Sequence, residues 1–236
     1  LQDQALSLGV AGGLNTDQIN EYRNSILMAA RTTKFAAQDI INAQELVVKT
    51  GYSLADSEKI VGAASKIALA SFESLEDATE LLNKTMLSLD INSTESEKAS
   101  QILYSAIQST PLSLKSMEVA LRQTGSAFGS VIDMTSKSGE ALEVYKMQSL
   151  ETMAALTGAL SLLGKSGEMT GTALRTITTA VTSPTKEGTT AVNKELALKG
   201  VIGANGNALT MQDISRTFSE DMNKGFEMLA KLYTEG

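Results

Sequence analysis

Acidic side chains supply the first candidate for chemistry in this sequence. Glu73, Glu76, Asp77 and Glu80 stand close together, and two carboxylates can act as acid and base when their surroundings separate their pKa values. The spacing instead predicts that they occupy the start of a helix, where the helix dipole favours negative charge. We therefore interpret the cluster as structural, with glycosidase chemistry as the alternative.

A glycine-rich run is the second candidate. Residues 164–171 read Gly-Lys-Ser-Gly-Glu-Met-Thr-Gly, and a phosphate-binding P-loop ends in Gly-Lys-Ser/Thr after four spacer residues and a preceding strand. Here five residues separate Gly158 from Gly164, and the residues before them have the period of a helix. The run therefore indicates a connection between two helices, with nucleotide binding as the alternative.

The composition excludes several kinds of catalytic site. The 236 residues include no histidine and no cysteine, so the chain cannot build a Ser–His–Asp triad, a Cys–His nucleophile, a Cys/His zinc site or a disulfide. The net charge is −7 and aromatic residues are 4% of the chain, which is unlike a nucleic-acid-binding surface. We expect no catalytic residue, no cofactor and no metal.

Hydrophobic residues recur with the spacing of an α-helix almost throughout. In the first half, an apolar or aromatic residue precedes most of the predicted helix starts, and these residues are separated by 17 to 21 positions. Ser53, Ser74 and Thr94 are predicted N-caps. Turns this short require neighbouring helices to fold back on each other, so the sequence predicts an all-α fold of consecutive antiparallel helical hairpins. The residues that precede the starts are Phe35, Tyr52, Phe72, Ile91 and Leu112.

The predicted organisation has four parts. Residues 1–15 form an N-terminal arm, 16–129 a first helical part of five to six helices, 130–148 a linker or insert containing a short helix, and 149–236 a second helical part. Because the chain begins with Leu1, we expect it to be a segment of a longer protein that continues beyond residue 236.

Several elements of the second part are predicted individually. Pro184 ends a helix over 170–182 because proline disfavours helix at the preceding residue, and a shorter helix follows over 191–198. Residues 201–209 are predicted to form a short β-hairpin with Asn205-Gly206 in its turn. The final helix, over 210–232, is expected to be interrupted at Gly225.

Neither a signal peptide nor a membrane span is expected. Residues 1–14 have no positive region and no long apolar run. The most apolar stretch, over 153–163, has eleven residues, whereas a transmembrane helix needs about 20. A cytosolic site of synthesis is the expectation.

Four blocks of sequence, taken in order, resemble the conserved core of phage tail tape measure proteins of the TP901 type. The resemblance extends over residues 16–220. One departure is Gly203, which stands where the family usually has Asp. The blocks are Thr32–Ala37 with Val47–Ser53, Ala68–Ala78, Gly167–Arg175 with Thr182–Lys186, and Gly203–Asn207.

The resemblance implies a structural, non-catalytic role in tail assembly, in the determination of tail length and later in DNA ejection. It implies a location in the tube lumen of the virion tail, several copies in each tube, and no direct contact with nucleic acid. The implied partners are the tail tube protein, tail assembly chaperones and the initiator complex at the tail tip. Arg175 and Lys186 flank the most specific block and are candidate partner contacts.

A ruler must be extended, and a single helix of 236 residues would reach about 350 Å. The predicted turns divide this chain into hairpins, so we expect a folded domain carried on the tape. Two alternatives are a helical adaptor unrelated to phages and a cell-wall-degrading segment of a tape measure protein.

Overall fold

The computed structural model describes residues 2–203 and 206–234. Their regular structure is twelve α-helices, one 3-10 turn and one isolated β-bridge, which confirms the all-α fold class. The chain divides into two compact units. The first unit consists of the residues up to Leu87 together with Ile91–Glu118. The second unit consists of Ser88–Asp90 together with the residues from Val119 onward. The helices are α1 (Gln2–Ala11), α2 (Thr16–Thr33), α3 (Ala37–Lys49), α4 (Leu54–Ser71), α5 (Leu75–Ser88), α6 (Ser96–Gln108), α7 (Leu114–Met134), α8 (Gly139–Leu162), α9 (Gly167–Thr182), α10 (Lys186–Leu198), α11 (Met211–Glu220) and α12 (Met222–Thr234).

Local capping determines where the helices of the first unit begin. The hydroxyl of Ser53 accepts a hydrogen bond from the backbone N–H of Asp56 at 3.1 Å, which confirms the predicted cap of α4. The predicted Thr94 cap of α6 is wrong. Asn92 accepts the hydrogen bond from the Thr94 N–H at 3.0 Å and starts a 3-10 turn (Ser93–Glu95) that leads into α6, because an asparagine carbonyl readily reaches an N–H two residues ahead.

The first unit also contains a helix pairing that the predicted hairpins do not include. Helices α4 and α6 lie side by side. The Ser100 hydroxyl donates to the Ala63 carbonyl at 2.7 Å, and the Gln108 amide donates to the Ala70 carbonyl at 3.0 Å. The later residue of α6, Gln108, contacts the later residue of α4, Ala70, so the two helices run parallel. The most completely buried side chains of this unit include Ile41, Ile60, Ile67, Leu81, Leu82, Met86, Leu103 and Met117.

Two segments that were expected to lie outside the main helices are largely helical. Residues 2–11, assigned above to an N-terminal arm, form α1. Within 130–148, expected to be a linker or insert, α7 continues to Met134 and α8 begins at Gly139. The expected short helix is therefore the first part of the 24-residue α8, because no proline or glycine interrupts the chain between Glu140 and Thr157.

The final amphipathic segment breaks at a different residue from the one expected. Asp221 has extended backbone angles (φ −157°, ψ 105°) and separates α11 from α12, whereas Gly225 lies inside α12. A Cβ atom at Gly225 would come within 2.4 Å of the Phe218 ring. The glycine therefore allows close packing and does not end the helix.

Aromatic rings and the ion pairs of one buried lysine organise the second unit. The Phe218 ring packs edge-on against Phe226, with ring centroids 4.9 Å apart, and the buried Tyr145 hydroxyl donates to the Phe218 carbonyl at 2.5 Å. The buried Lys146 ammonium lies 2.9 Å from a carboxylate oxygen of Asp90 and also donates to the carbonyl of Asp90. Burial opposes the charge, but the hydrogen bonds raise the Lys146 pKa above its ordinary value.

The expected β-hairpin over 201–209 is reduced to a single antiparallel bridge between Ile202 and Ala208. The Leu209 N–H donates to the Val201 carbonyl at 2.8 Å. Gly206 has φ +78°, as a tight turn requires. Asn205, the other residue of the expected turn, lies outside the described residues.

Candidate partner-binding groove

A groove of about 450 Å³ lies between α9 and α10 of the second unit. Its lining combines threonine and serine hydroxyls, aliphatic groups and the side chain of a single arginine. The lining residues are Arg175, Thr176, Thr179, Ala180, Ser183, Pro184, Thr185, Gly188, Val192 and Met211.

The sequence between the two helices forms this groove by turning the chain within three residues. Helix α9 ends at Thr182, and Ser183 leaves helical geometry (φ −134°, ψ 58°) because Pro184 disfavours a helical residue before it. The Thr185 hydroxyl then accepts a hydrogen bond from the Gly188 N–H at 3.0 Å. This cap starts α10 five residues earlier than predicted.

Two hydrogen bonds from α11 hold the groove in shape. The Asn193 side chain of α10 accepts from the N–H of Met211 at 2.7 Å. The Ser215 hydroxyl donates to the Val181 carbonyl of α9 at 2.5 Å. Both contacts join residues that are far apart in sequence, so α11 positions the two helices that line the groove.

The structure places the two predicted contact residues differently. Arg175 is exposed and lines the groove. Lys186 is exposed at the first position of α10 and is not among the lining residues. The groove therefore includes Arg175, and Lys186 follows the Thr185 cap on the neighbouring surface.

Sequence reasoning missed the uncharged residues beside Arg175. Thr176, Thr179, Ala180 and Ser183 have the i, i+3, i+4, i+7 spacing of one helix face, and all four line the groove. Their small size leaves the groove open. A stripe of small side chains beside an arginine on one helix face was the feature of the sequence that could have indicated the groove.

The groove is suited to binding a polypeptide segment. The guanidinium of Arg175 can hold a carboxylate through two parallel hydrogen bonds, and the aliphatic groups of Val192 and Met211 offer apolar contact. The Thr176 hydroxyl already donates to the Thr172 carbonyl at 2.8 Å. This combination favours recognition of a segment with an acidic and an apolar side chain.

The two other candidates have local structural roles. In the acidic cluster, Asp77 accepts from the Ser74 hydroxyl at 2.5 Å, and Glu80 pairs with Lys84. In the glycine-rich run, Gly164 has φ +76° and Ser166 caps α9, so the run connects two helices as predicted.

The described residues contain neither a metal-binding cluster of acidic side chains nor a membrane-spanning helix. Across 2–203 and 206–234, no group of three or more acidic side chains is placed to hold a metal ion. Within the same residues, no helix combines the length and apolar character needed to cross a membrane.

These features define an all-α protein with a groove between helices on its surface. The chain belongs to the family of phage-related minor tail proteins, because residues 23–229 match the sequence pattern of that family. Membership indicates a structural protein of the virion tail. Comparison with curated proteins and comparison with solved structures each gave no match.

Proposed function

We propose that the chain is a structural, non-catalytic segment of a tail tape measure protein. It acts in tail assembly and tail-length determination and later in DNA ejection. The match of residues 23–229 to the minor tail family supports this proposal, together with the four sequence blocks that resemble tape measure proteins. The segment is folded into helices of 10 to 24 residues, which supports a folded domain carried on an extended tape.

The proposed location is the lumen of the tail tube, after synthesis in the host cytoplasm, with several copies in each tube. Tail tube subunits, tail assembly chaperones and the tip initiator complex are the proposed partners. The groove with Arg175 is the proposed contact surface, and Lys186 beside it is a second contact. Groove chemistry supports this assignment because a guanidinium among small side chains suits an acidic peptide.

In-frame removal of residues 23–229 from the phage gene tests the proposal. We expect particles with missing or unfinished tails, and the intact gene supplied in trans should restore complete tails. Electron microscopy of the particles provides the measurement. Normal tails and normal infectivity would show that the proposal is wrong. Tails shortened by about 310 Å, the length of a continuous helix of 207 residues, would show that the segment is part of the extended ruler.

A narrower arm of the same experiment tests the groove. Arg175→Glu should reduce co-purification of tail partners with the full-length protein and lower the yield of complete tails. Arg31→Glu is the matched control, because Arg31 is an exposed arginine outside the groove. Equal effects of the two charge reversals would contradict the assignment of the groove.

A further inference from the structure

Phe72 occupies an unusual position at the end of α4. It adopts the left-handed conformation (φ 58°, ψ 27°), which normally favours glycine or asparagine. Its side chain is 96% exposed, whereas the other four phenylalanines of the chain are buried or half-buried. A bulky side chain held in a strained conformation and in water indicates a surface that contacts another protein.

Acidic residues follow this phenylalanine in the chain. Glu73, Glu76 and Asp77 follow Phe72 at the start of α5, and all three are exposed. Asp77 also accepts a hydrogen bond from Ser74 at the cap of α5, which stabilises the corner. The corner is an apolar projection with an acidic rim, and its binding partner must offer an apolar groove with a basic rim.

The second unit has such a groove, which we call the lysine groove. Its volume is about 700 Å³, and its lining includes Lys199, Lys224, Lys231, Ile202, Met228 and Leu232. Ile202 is 67% exposed, so apolar surface is available for contact. Three lysines and one acidic residue line the groove, although the whole chain carries a net charge of −7. One of the three, Lys224, also forms a solvent-exposed ion pair with Asp221 at 3.5 Å.

We propose that copies of this chain associate head to tail, with Phe72 of one copy seated in the lysine groove of the next. The acidic rim of Phe72 then faces the lysines, and the ring covers Ile202 and Met228. The two surfaces are different, so the contact is heterologous, and contacts of this kind join copies either into a closed ring or into an open row. The contact goes beyond the proposed function and is tested separately from it.

Sedimentation velocity of the 236-residue chain tests this contact over a range of concentrations. We expect association that strengthens at low salt, because exposed charges are less screened there. Phe72→Ser should weaken association by about tenfold or more, as expected for the loss of a central aromatic contact. Leu163→Ser is the control, since Leu163 is also highly exposed but belongs to neither surface. Circular dichroism verifies that each variant is folded.

Mixing two blocked variants gives the sharper result. Phe72→Ser removes the projection, and Lys199→Glu with Lys224→Glu reverses two of the three lysine charges of the groove. Each variant alone should associate at least about tenfold more weakly than the wild type. Their mixture should form a one-to-one complex of wild-type affinity and nothing larger, because each chain retains the surface that the other has lost.

Three outcomes would overturn the contact. They are a wild-type chain that stays monomeric at every concentration, Phe72→Ser chains that associate as strongly as the wild type, and a mixture of the blocked variants that fails to form the complex. None of these results depends on tail length or tail yield, so the proposed function would be unaffected.

Discussion

The carboxylate of Asp56 connects the start of α4 to the 3-10 turn that precedes α6. One of its oxygens accepts from the Ser53 hydroxyl and the other from the Ser93 hydroxyl, each at 2.6 Å. Lys59 lies 3.1 Å away. The hydrogen bonds from Ser53, Ser93 and Lys59 lower the Asp56 pKa from 3.8 to about 2. Because the folded state has the lower pKa, ionised Asp56 stabilises the fold above about pH 4, and this stabilisation is lost as the pH falls toward 2.

Asp56→Asn should therefore lower the free energy of unfolding at neutral pH. We expect a loss of about 1 kcal/mol, a discounted value because the carboxylate is partly solvated and screened. Urea unfolding at neutral pH and near pH 2 measures the effect, and the difference from wild type should shrink at the lower pH.

Asp77→Asn is the matched control for Asp56→Asn. Asp77 occupies the corresponding position in α5 and also accepts from a capping serine, Ser74. We expect a smaller loss, because Asp56 is additionally bound by Ser93 of a different turn. Equal losses at both pH values for Asp56→Asn would contradict the linkage argument.

At the scale of the helices, only some glycines lie where two helices pack closely against each other. A Cβ atom added to Gly171 of α9 would lie 2.8 Å from the Cβ of Gln123 and 2.9 Å from the carbonyl of Ala120, both in α7. No atom lies within 4 Å of a Cβ added to Gly62 of α4. Identical substitutions at these glycines should therefore have opposite effects.

Gly171→Ala should destabilise the protein by about 1–2 kcal/mol, because separating the packed backbones outweighs the better helix propensity of alanine. Gly62→Ala should stabilise it by about 0.5–1 kcal/mol through that propensity alone. Chemical denaturation of both variants provides the comparison. A change of the same sign at both positions would mean that packing at Gly171 is looser than the structure indicates.

At the scale of the whole molecule, the core relies on small and aliphatic side chains. Aromatic residues are 4% of the sequence and tryptophan is absent. Alanines are numerous in the core, including Ala43, Ala64, Ala78 and Ala99. An alanine removes less apolar surface from water than leucine or phenylalanine, so each helix contact contributes less hydrophobic free energy.

The intact chain should therefore lose its helical circular dichroism well below about 90 °C, the threshold of hyperstable proteins. Such unfolding suits the proposed passage out of the tail during DNA ejection. A helical signal that persists above that temperature would contradict both the core argument and easy extrusion. A spectrum with little helix at ambient temperature would contradict the fold itself.

The helical type of the chain and the starts of α3, α4, α5 and α7 could be predicted from the sequence because they depend on neighbouring residues. The Ser53 and Ser74 caps bond to backbone groups three residues away. Apolar spacing predicted the buried faces of α4 and α6 for a similarly local reason. The resemblance carried by short blocks also led to the phage tail family.

Only the tertiary structure decided which helices pair and which surfaces remain open. The parallel pairing of α4 with α6 and the packing of Gly225 on Phe218 join groups that have no fixed separation in sequence. The assignment of Arg175 to the groove and the exposure of Phe72 depend equally on the packing of several elements. Local hydrogen bonds and helical period determined the elements, whereas burial against distant residues determined how they pack and what they leave exposed.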